Sequence, residues 1–350
     1  MVGGLFVHGY AWLPHTHLFF VVEIVSQAFR MGVYFALSGF LSAVALRRTS
    51  PGPWLSRRLR QLGIPAMTGV LVLSPLVWWL ANSRPHTVAG EPPLIFDWLH
   101  TWFLWGLLTC SAALWLLDRR DPAGRWIDLA RRRQPGELIL GVALATLVMF
   151  AIMAPLLRAA LPPEVLAAYC NVQLIAGYVP TFMFGVLLAR SEELRDRVLD
   201  AWRASAAIVI VASLFYCLVC LGLANSLEPY VRFVGASICP PAVFVLVLRS
   251  ALGVRRLPAL VRSLSNASYS IYLLHVPVAV AINTRMASLR FHPNLQYALT
   301  VVIAGGGCWL FHIAAVRRSG TLALLLNGRV PRARSPASAP LAGLASEATA

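Results

Sequence analysis

The chain contains no lysine, only 14 acidic residues in 350, and charge at just 13% of its positions. So thinly charged a sequence, 58% hydrophobic with a mean hydropathy of +0.70, cannot cover the surface of a soluble globular domain. Carboxylates are nearly missing from the apolar stretches, Glu23 being the main exception, and no HxxxH or HxxEH spacing lies on a shared helical face. A metal centre therefore fits poorly. There is no GxSxG, and no Ser-His-Asp triad can be assembled. The six cysteines add little: Cys217 and Cys220 form a CxxC inside an apolar run without histidine or acidic neighbours, the setting of packing residues rather than of a redox or metal pair. Residues 1–10 lack the charged segment that opens a cleaved leader.

What the chain does have is apolar runs long enough to cross a bilayer. They recur at about residues 62–82, 98–117, 138–157, 172–189, 204–223, 233–248, 267–282 and 295–316, with a shorter one at 31–46. The expected fold is all-α, a polytopic transmembrane helical bundle of about nine to ten spans. All 30 basic residues are arginine, and most fall between alternate spans: Arg47, Arg48, Arg57, Arg58 and Arg60, then Arg119, Arg120, Arg125 and residues 131–133. The pattern continues through Arg190, Arg195, Arg197 and Arg203, then Arg249, Arg255, Arg256 and Arg262, and ends at Arg317, Arg318, Arg329, Arg332 and Arg334. This is the positive-inside bias, which puts those loops and the C-terminus in the cytoplasm. The net charge of +16 thus reports topology and a lipid bilayer as partner, with no nucleic acid implied.

Residues 1–316 form one membrane domain, and residues 317–350 form a basic tail that passes into a Pro/Ala/Ser/Gly-rich, disordered stretch. No internal repeat is visible. Prolines at 65, 75, 155, 180, 240, 241 and 277 lie in or at the ends of spans, where kinks can open internal cavities. Residues 1–13 are apolar but too short to cross, with His8 among them. Either the first helix is half-length or the chain begins downstream of the natural start.

Polar islands interrupt the apolar runs. In residues 263–277, SLSNASYSIYLLHVP, helical spacing puts Ser265, Ser268, Tyr272 and His275 on one face. An ionisable group that deep is costly unless it meets a partner or a wet cavity. His8 can serve a helix–helix hydrogen bond or a function. In residues 29–40, FRMGVYFALSGF, the residues Arg30, Tyr34, Ser38 and Ser42 make one slowly turning stripe, whose plain reading is a snorkelling arginine with small residues for close packing. Residues 57–65, RRLRQLGIP, are either a solvated topogenic cluster or an anion clamp for phosphate oxygens. His100 and Trp102 sit in HTWFLW at the outer end of a span, where tryptophan is ordinarily an interface residue.

In this order, His8, residues 29–40, residues 58–67 (RLRQLGIPAM), residues 100–104 (HTWFL) and residues 266–277 (NASYSIYLLHVP) resemble the acyltransferase 3 family of integral-membrane acyltransferases, and within it most the glucan biosynthesis protein C branch, associated with succinylation of periplasmic glucans. The likeness covers roughly residues 5–316. It implies a bacterial inner-membrane enzyme that moves an acyl group of the acetyl or succinyl class from acyl-CoA to a hydroxyl of an extracytoplasmic glycan. In the family's first helix an arginine precedes by eleven positions a histidine that acts on the acceptor hydroxyl. His8 matches that histidine, and the arginine would fall before Met1. The family's Arg-x-x-Arg, which handles acyl-CoA, falls on Arg57 and Arg60, with Arg58 as the alternative member.

The leading expectation is an O-acyltransferase with no bound cofactor. His8 is the base and His275 its rival, because a neutral imidazole suits proton abstraction near ambient pH. Arg57, Arg58 and Arg60 hold the donor; Arg30, Tyr34, Ser38, His100, Trp102, Asn266 and Tyr272 line the central cavity. No placed nucleophile stands out, which favours direct transfer over a covalent intermediate. A transporter of a small polar or acylated compound and a truncated, silent relative are the alternatives. The first is weakened by the missing repeat and the missing in-membrane carboxylates.

Overall fold

Apolar residues that continue for twenty positions without a turn signal have one way to satisfy their backbone inside a lipid bilayer, which is to wind into helices. The computed structural model describes residues 3–9, 13, 16–83, 98–122, 124–160, 166–223, 225–254, 256–286, 289 and 291–329, and among them there is no strand. Residues 84–97 and the expected disordered tail from residue 330 lie outside the described residues.

The chain opens with a short helix α1 (Gly3–His8) and the long α2 (His17–Arg47). Next comes one interrupted helical run, α3 (Pro51–Arg58), α4 (Ile64–Thr68) and α5 (Ser74–Asn82), joined by π turns at Leu59–Gly63 and Gly69–Leu73. A 3₁₀ turn, Leu99–Thr101, leads into α6 (Trp102–Arg120), followed by the short α7 (Arg125–Arg131), then α8 (Pro135–Ala160) and α9 (Leu166–Arg190). The remainder is α10 (Glu192–Asp200), α11 (Trp202–Cys220), α12 (Glu228–Gly253), α13 (Ala259–Met286), α14 (Pro293–Phe311) with a π turn His312–Val316, and α15 (Gly320–Asn327).

Among the described residues, seven helical runs are long and apolar enough to cross a membrane: His17–Arg47, Pro51–Asn82, Pro135–Ala160, Asn171–Arg190, Trp202–Cys220, Tyr230–Gly253 and Pro293–Val316. The protein is an all-α polytopic helical protein. α6 and α13 are at least as long as the shortest of these, but α6 ends in Asp118, Arg119 and Arg120 and α13 carries the polar residues around His275. The first long run starts earlier than its apolar core at 31–46 suggests. Glu23 and Gln27 continue α2 as helix because their polar groups have partners: Gln27 Nε2 donates to Glu23 Oε1 at 3.0 Å, and Arg232 of α12 reaches Glu23 at 3.2 Å and Gln27 at 2.9 Å.

Proline shapes the run from Pro51 to Asn82. A proline inside a helix removes one N–H and crowds the carbonyl four residues back. Both π turns end just before an X-Pro step, at Ile64-Pro65 and Ser74-Pro75, so the wider turn absorbs each clash. Pro65 leaves the Gln61 carbonyl without its helical donor, and the Tyr269 hydroxyl fills the gap at 3.0 Å.

α2 is the inner helix, packed against α9 and α12. Gly39 and Gly185 let α2 and α9 approach until backbone touches backbone: a Cβ on Gly39 would meet the Phe182 carbonyl, and one on Gly185 the Ala36 carbonyl. The arginine-rich loops gather at one end. There Arg47 donates to the Arg190 carbonyl, Arg190 pairs with Asp118 at 2.5 Å, Arg131 donates to Ser191 at 3.1 Å, and Arg249 donates to the Leu199 carbonyl at 3.0 Å.

Candidate active site

Three histidines far apart in sequence meet inside the bundle. α1 presents His8, the 3₁₀ turn before α6 presents His100, and α13 presents His275. The ring centroids of His8 and His275 are 5.4 Å apart, those of His100 and His275 5.0 Å, and those of His8 and His100 6.1 Å. At a rise of 1.5 Å per residue, His275 lies about 24 Å along α13 from its start at Ala259, deep within the membrane part of the fold.

The backbone fixes two of the rings. His275 Nδ1 lies 2.7 Å from the Tyr272 carbonyl and 3.0 Å from that of Ile271; since a carbonyl only accepts, Nδ1 carries a hydrogen, and in the neutral ring Nε2 holds the lone pair. His100 is set the opposite way: its Nε2 donates to the Leu273 carbonyl at 3.2 Å, which leaves the lone pair on Nδ1. Leu273 has that carbonyl to give because Pro277, four residues on, has no N–H. Both lone-pair nitrogens, His275 Nε2 and His100 Nδ1, are buried without a hydrogen-bond partner among the described residues. The Tyr272 hydroxyl donates to the His100 carbonyl and holds the 3₁₀ turn against α13.

His8 is anchored from behind. Its helix has two turns at most and would fray alone. Buried Asn283 donates to the Gly9 carbonyl at 3.1 Å and accepts from Thr300 at 2.6 Å, while Tyr297 donates to the Phe6 carbonyl at 2.9 Å. These bonds take up carbonyls that a helix C-terminus leaves open.

The histidines line a cavity of about 550 Å³. Arg30 and Tyr34 enter it from α2, Trp102 from α6 and Tyr272 from α13. Gln27, Gln173, Tyr178 and Arg232 also line it, and none of these was singled out by the sequence. For Gln173 a signal existed, an amide inside an apolar span. Arg232 reads from sequence as an outer-side charge; only the fold joins it to Glu23, at 3.2 Å, and to Glu228, at 2.8 Å.

The other expected residues separate from this centre. Ser38 is half-buried on α2 and is not part of the cavity lining, because the stripe that starts at Arg30 turns toward the arginine-rich end. Asn266 also stands outside it: it lies on the face of α13 that looks toward α14 and α15, and lines a different pocket. Arg57 and Arg60 are exposed, whereas Arg58 turns inward, donating from Nη2 to Ser42 Oγ at 2.7 Å with its guanidinium 5.8 Å from the Trp54 ring centre. Among the described residues, no group of three or more His, Cys, Asp or Glu side chains could hold a metal ion.

Fold and site together define a polytopic membrane protein with a buried histidine centre. The particular family follows from comparison: the acyltransferase 3 family model, described as an acyltransferase domain, matches residues 2–313, and the chain belongs to that family. It is a membrane acyltransferase. No curated protein and no solved structure matches the chain.

Proposed function

We propose that this acyltransferase moves an acetyl- or succinyl-class group from acyl-CoA, held at the arginine-rich end, to a hydroxyl of a glycan presented from the opposite side of a bacterial inner membrane, a periplasmic glucan being the acceptor that the family resemblance suggests. The observation that carries this reading is the three-imidazole centre in one cavity, two of its rings each held by one nitrogen on a backbone carbonyl, with the other nitrogen buried and without a hydrogen-bond partner among the described residues.

His8 is the base. It is half-buried, while His100 and His275 are 6% and 1% exposed and tied by one ring nitrogen each. As the acceptor oxygen bonds to the thioester carbon, its proton passes to His8. The tetrahedral intermediate then collapses, the C–S bond breaks, and the departing thiolate takes that proton. The charged ring formed on His8 has N–H groups to offer, and the lone pairs of His275 and His100 are the acceptors beside it. Arg30 in the same cavity stabilises the oxyanion. Arg57 and Arg60, free of the bundle interior, hold the CoA phosphates, and Arg58 braces the helix behind them.

The test is release of CoA from acetyl- and succinyl-CoA by the purified protein in lipid, with and without an oligoglucan. Acceptor-dependent release falls by about 10²–10⁴-fold in His8→Ala, the range for a lost general base. Release that survives His8→Ala but is lost in His275→Ala moves the base to His275. No acceptor-dependent release from either donor overturns the reading.

A further inference from the structure

A second cavity, of about 670 Å³, opens at the arginine-rich end between the start of α13, the π turn after α14, and α15. Arg262 enters it from α13, Arg317 and Arg318 follow the π turn, and Arg329 follows α15. Among the described residues its lining holds no carboxylate, and none of these four arginines belongs to an ion pair. Some arginines at the same end do have a carboxylate partner: Arg190 pairs with Asp118 at 2.5 Å, Arg131 with Asp128 at 3.1 Å, and Arg195 with Asp196 at 3.1 Å. Positive charge is therefore concentrated here without a counter-charge from the described chain.

The pocket also has a built floor. Buried Ser270 donates to Asn327 Oδ1 at 3.0 Å and so accepts, at 2.9 Å, from His312 Nδ1. His312 and Asn327, 4% and 9% exposed, line the pocket, and this three-residue network fixes both. Ser319 and Gly320, at the N-terminus of α15, line it as well, adding the N–H groups of a helix start. The π turn His312–Val316 widens the end of α14 at this spot, a distortion that helices often carry at functional positions.

We propose that this pocket is an anion site for the phosphate groups of an organic phosphate at the membrane surface. Guanidinium forks match phosphate oxygens two at a time, and basic pockets between membrane helices on the positive side suit phosphorylated headgroups. Phosphate could come from the nucleotide part of a CoA donor or from an anionic phospholipid. The experiment separates the two sources, and because it reads equilibrium binding it stands apart from whether acyl transfer occurs.

The full chain is placed in nanodiscs of phosphatidylcholine and titrated with adenosine 3′,5′-bisphosphate. A second preparation contains phosphatidylglycerol, and the retained lipid is counted by native mass spectrometry. The variants are the double R317Q/R318Q and the single R262Q, with R132Q, which makes the same charge change as R262Q, as the control in another loop. R262Q sits on an exposed surface and repeats the test should the double variant fail to fold. A tenfold or greater loss of nucleotide affinity in the pocket variants, with R132Q unchanged, assigns the pocket to nucleotide phosphate. Loss of retained phosphatidylglycerol with nucleotide binding unchanged assigns it to the lipid headgroup. If folded pocket variants bind nucleotide and retain lipid as the wild type does, the proposal is overturned.

Discussion

Asn283 shows what a single buried amide can do for a site it does not touch. It lies near the end of α13, 2% exposed, with its side chain shared between the Gly9 carbonyl and Thr300, and its own carbonyl accepting from Gln296 at 3.3 Å. Replacing it by alanine leaves two buried partners unsatisfied, a loss of about 1–3 kcal/mol. It also frees the short helix that carries His8. Asn283→Ala should therefore lower the thermal midpoint and reduce turnover, with the KM for the acyl donor unchanged because the arginines proposed to hold the donor are elsewhere. Melting and steady-state kinetics in one lipid preparation check this; a fall in stability with normal turnover would make Asn283 a packing residue only. Asn283 carries no local signal in the sequence, since its partners sit at positions 9, 296 and 300 and no periodicity links them.

At the scale of elements, helix positions were legible because apolar runs and arginine punctuation need no tertiary context. The polar islands were legible for a related reason: a histidine among leucines and valines stands out wherever it falls. Which islands meet was not legible. α13 illustrates the difference. Successive residues turn by 100° on a helix, so Tyr272 and His275 face the central cavity while Asn266 and Ser270 face α14 and α15. One island thus feeds two sites. Proline shows a second kind of hidden information, because the expected consequence was a kink and the important one is a released carbonyl. Pro277→Ala returns an N–H to the Leu273 carbonyl and makes it compete with His100. Stability should hold or rise, since an interior proline costs a helix about 3 kcal/mol relative to alanine. Turnover should fall by about tenfold, which corresponds to 1.4 kcal/mol of lost positioning at His100. Turnover equal to wild type in a variant of equal or higher melting temperature would remove Pro277 from the positioning of the site.

For the whole molecule, charge asymmetry and site geometry make one argument. The loops rich in arginine are tied together by Arg47–Arg190, Arg190–Asp118 and Arg131–Ser191, so the bias read along the chain is a bias between two ends of one bundle. The Gly328 turn, at φ 59°, packs against the backbone of Arg60 and Gln61, which brings α15 and its arginine pocket to the same end as Arg57 and Arg60. The histidine cavity instead shares its lining with Gln27 and Arg232, toward the other end. If arginine-rich loops stay in the cytoplasm, the proposed donor phosphates and acceptor hydroxyl approach from opposite sides and meet only within the bundle. Reporter fusions test the orientation directly. A fluorescent protein fused after Arg329, or inserted between Arg132 and Arg133, should fold and fluoresce, while alkaline phosphatase at those points should be inactive. Phosphatase activity at either point would invert the bundle. The arginine pocket and the proposed donor arginines would then face away from any cytoplasmic CoA, and transfer across the membrane in the direction proposed could not operate.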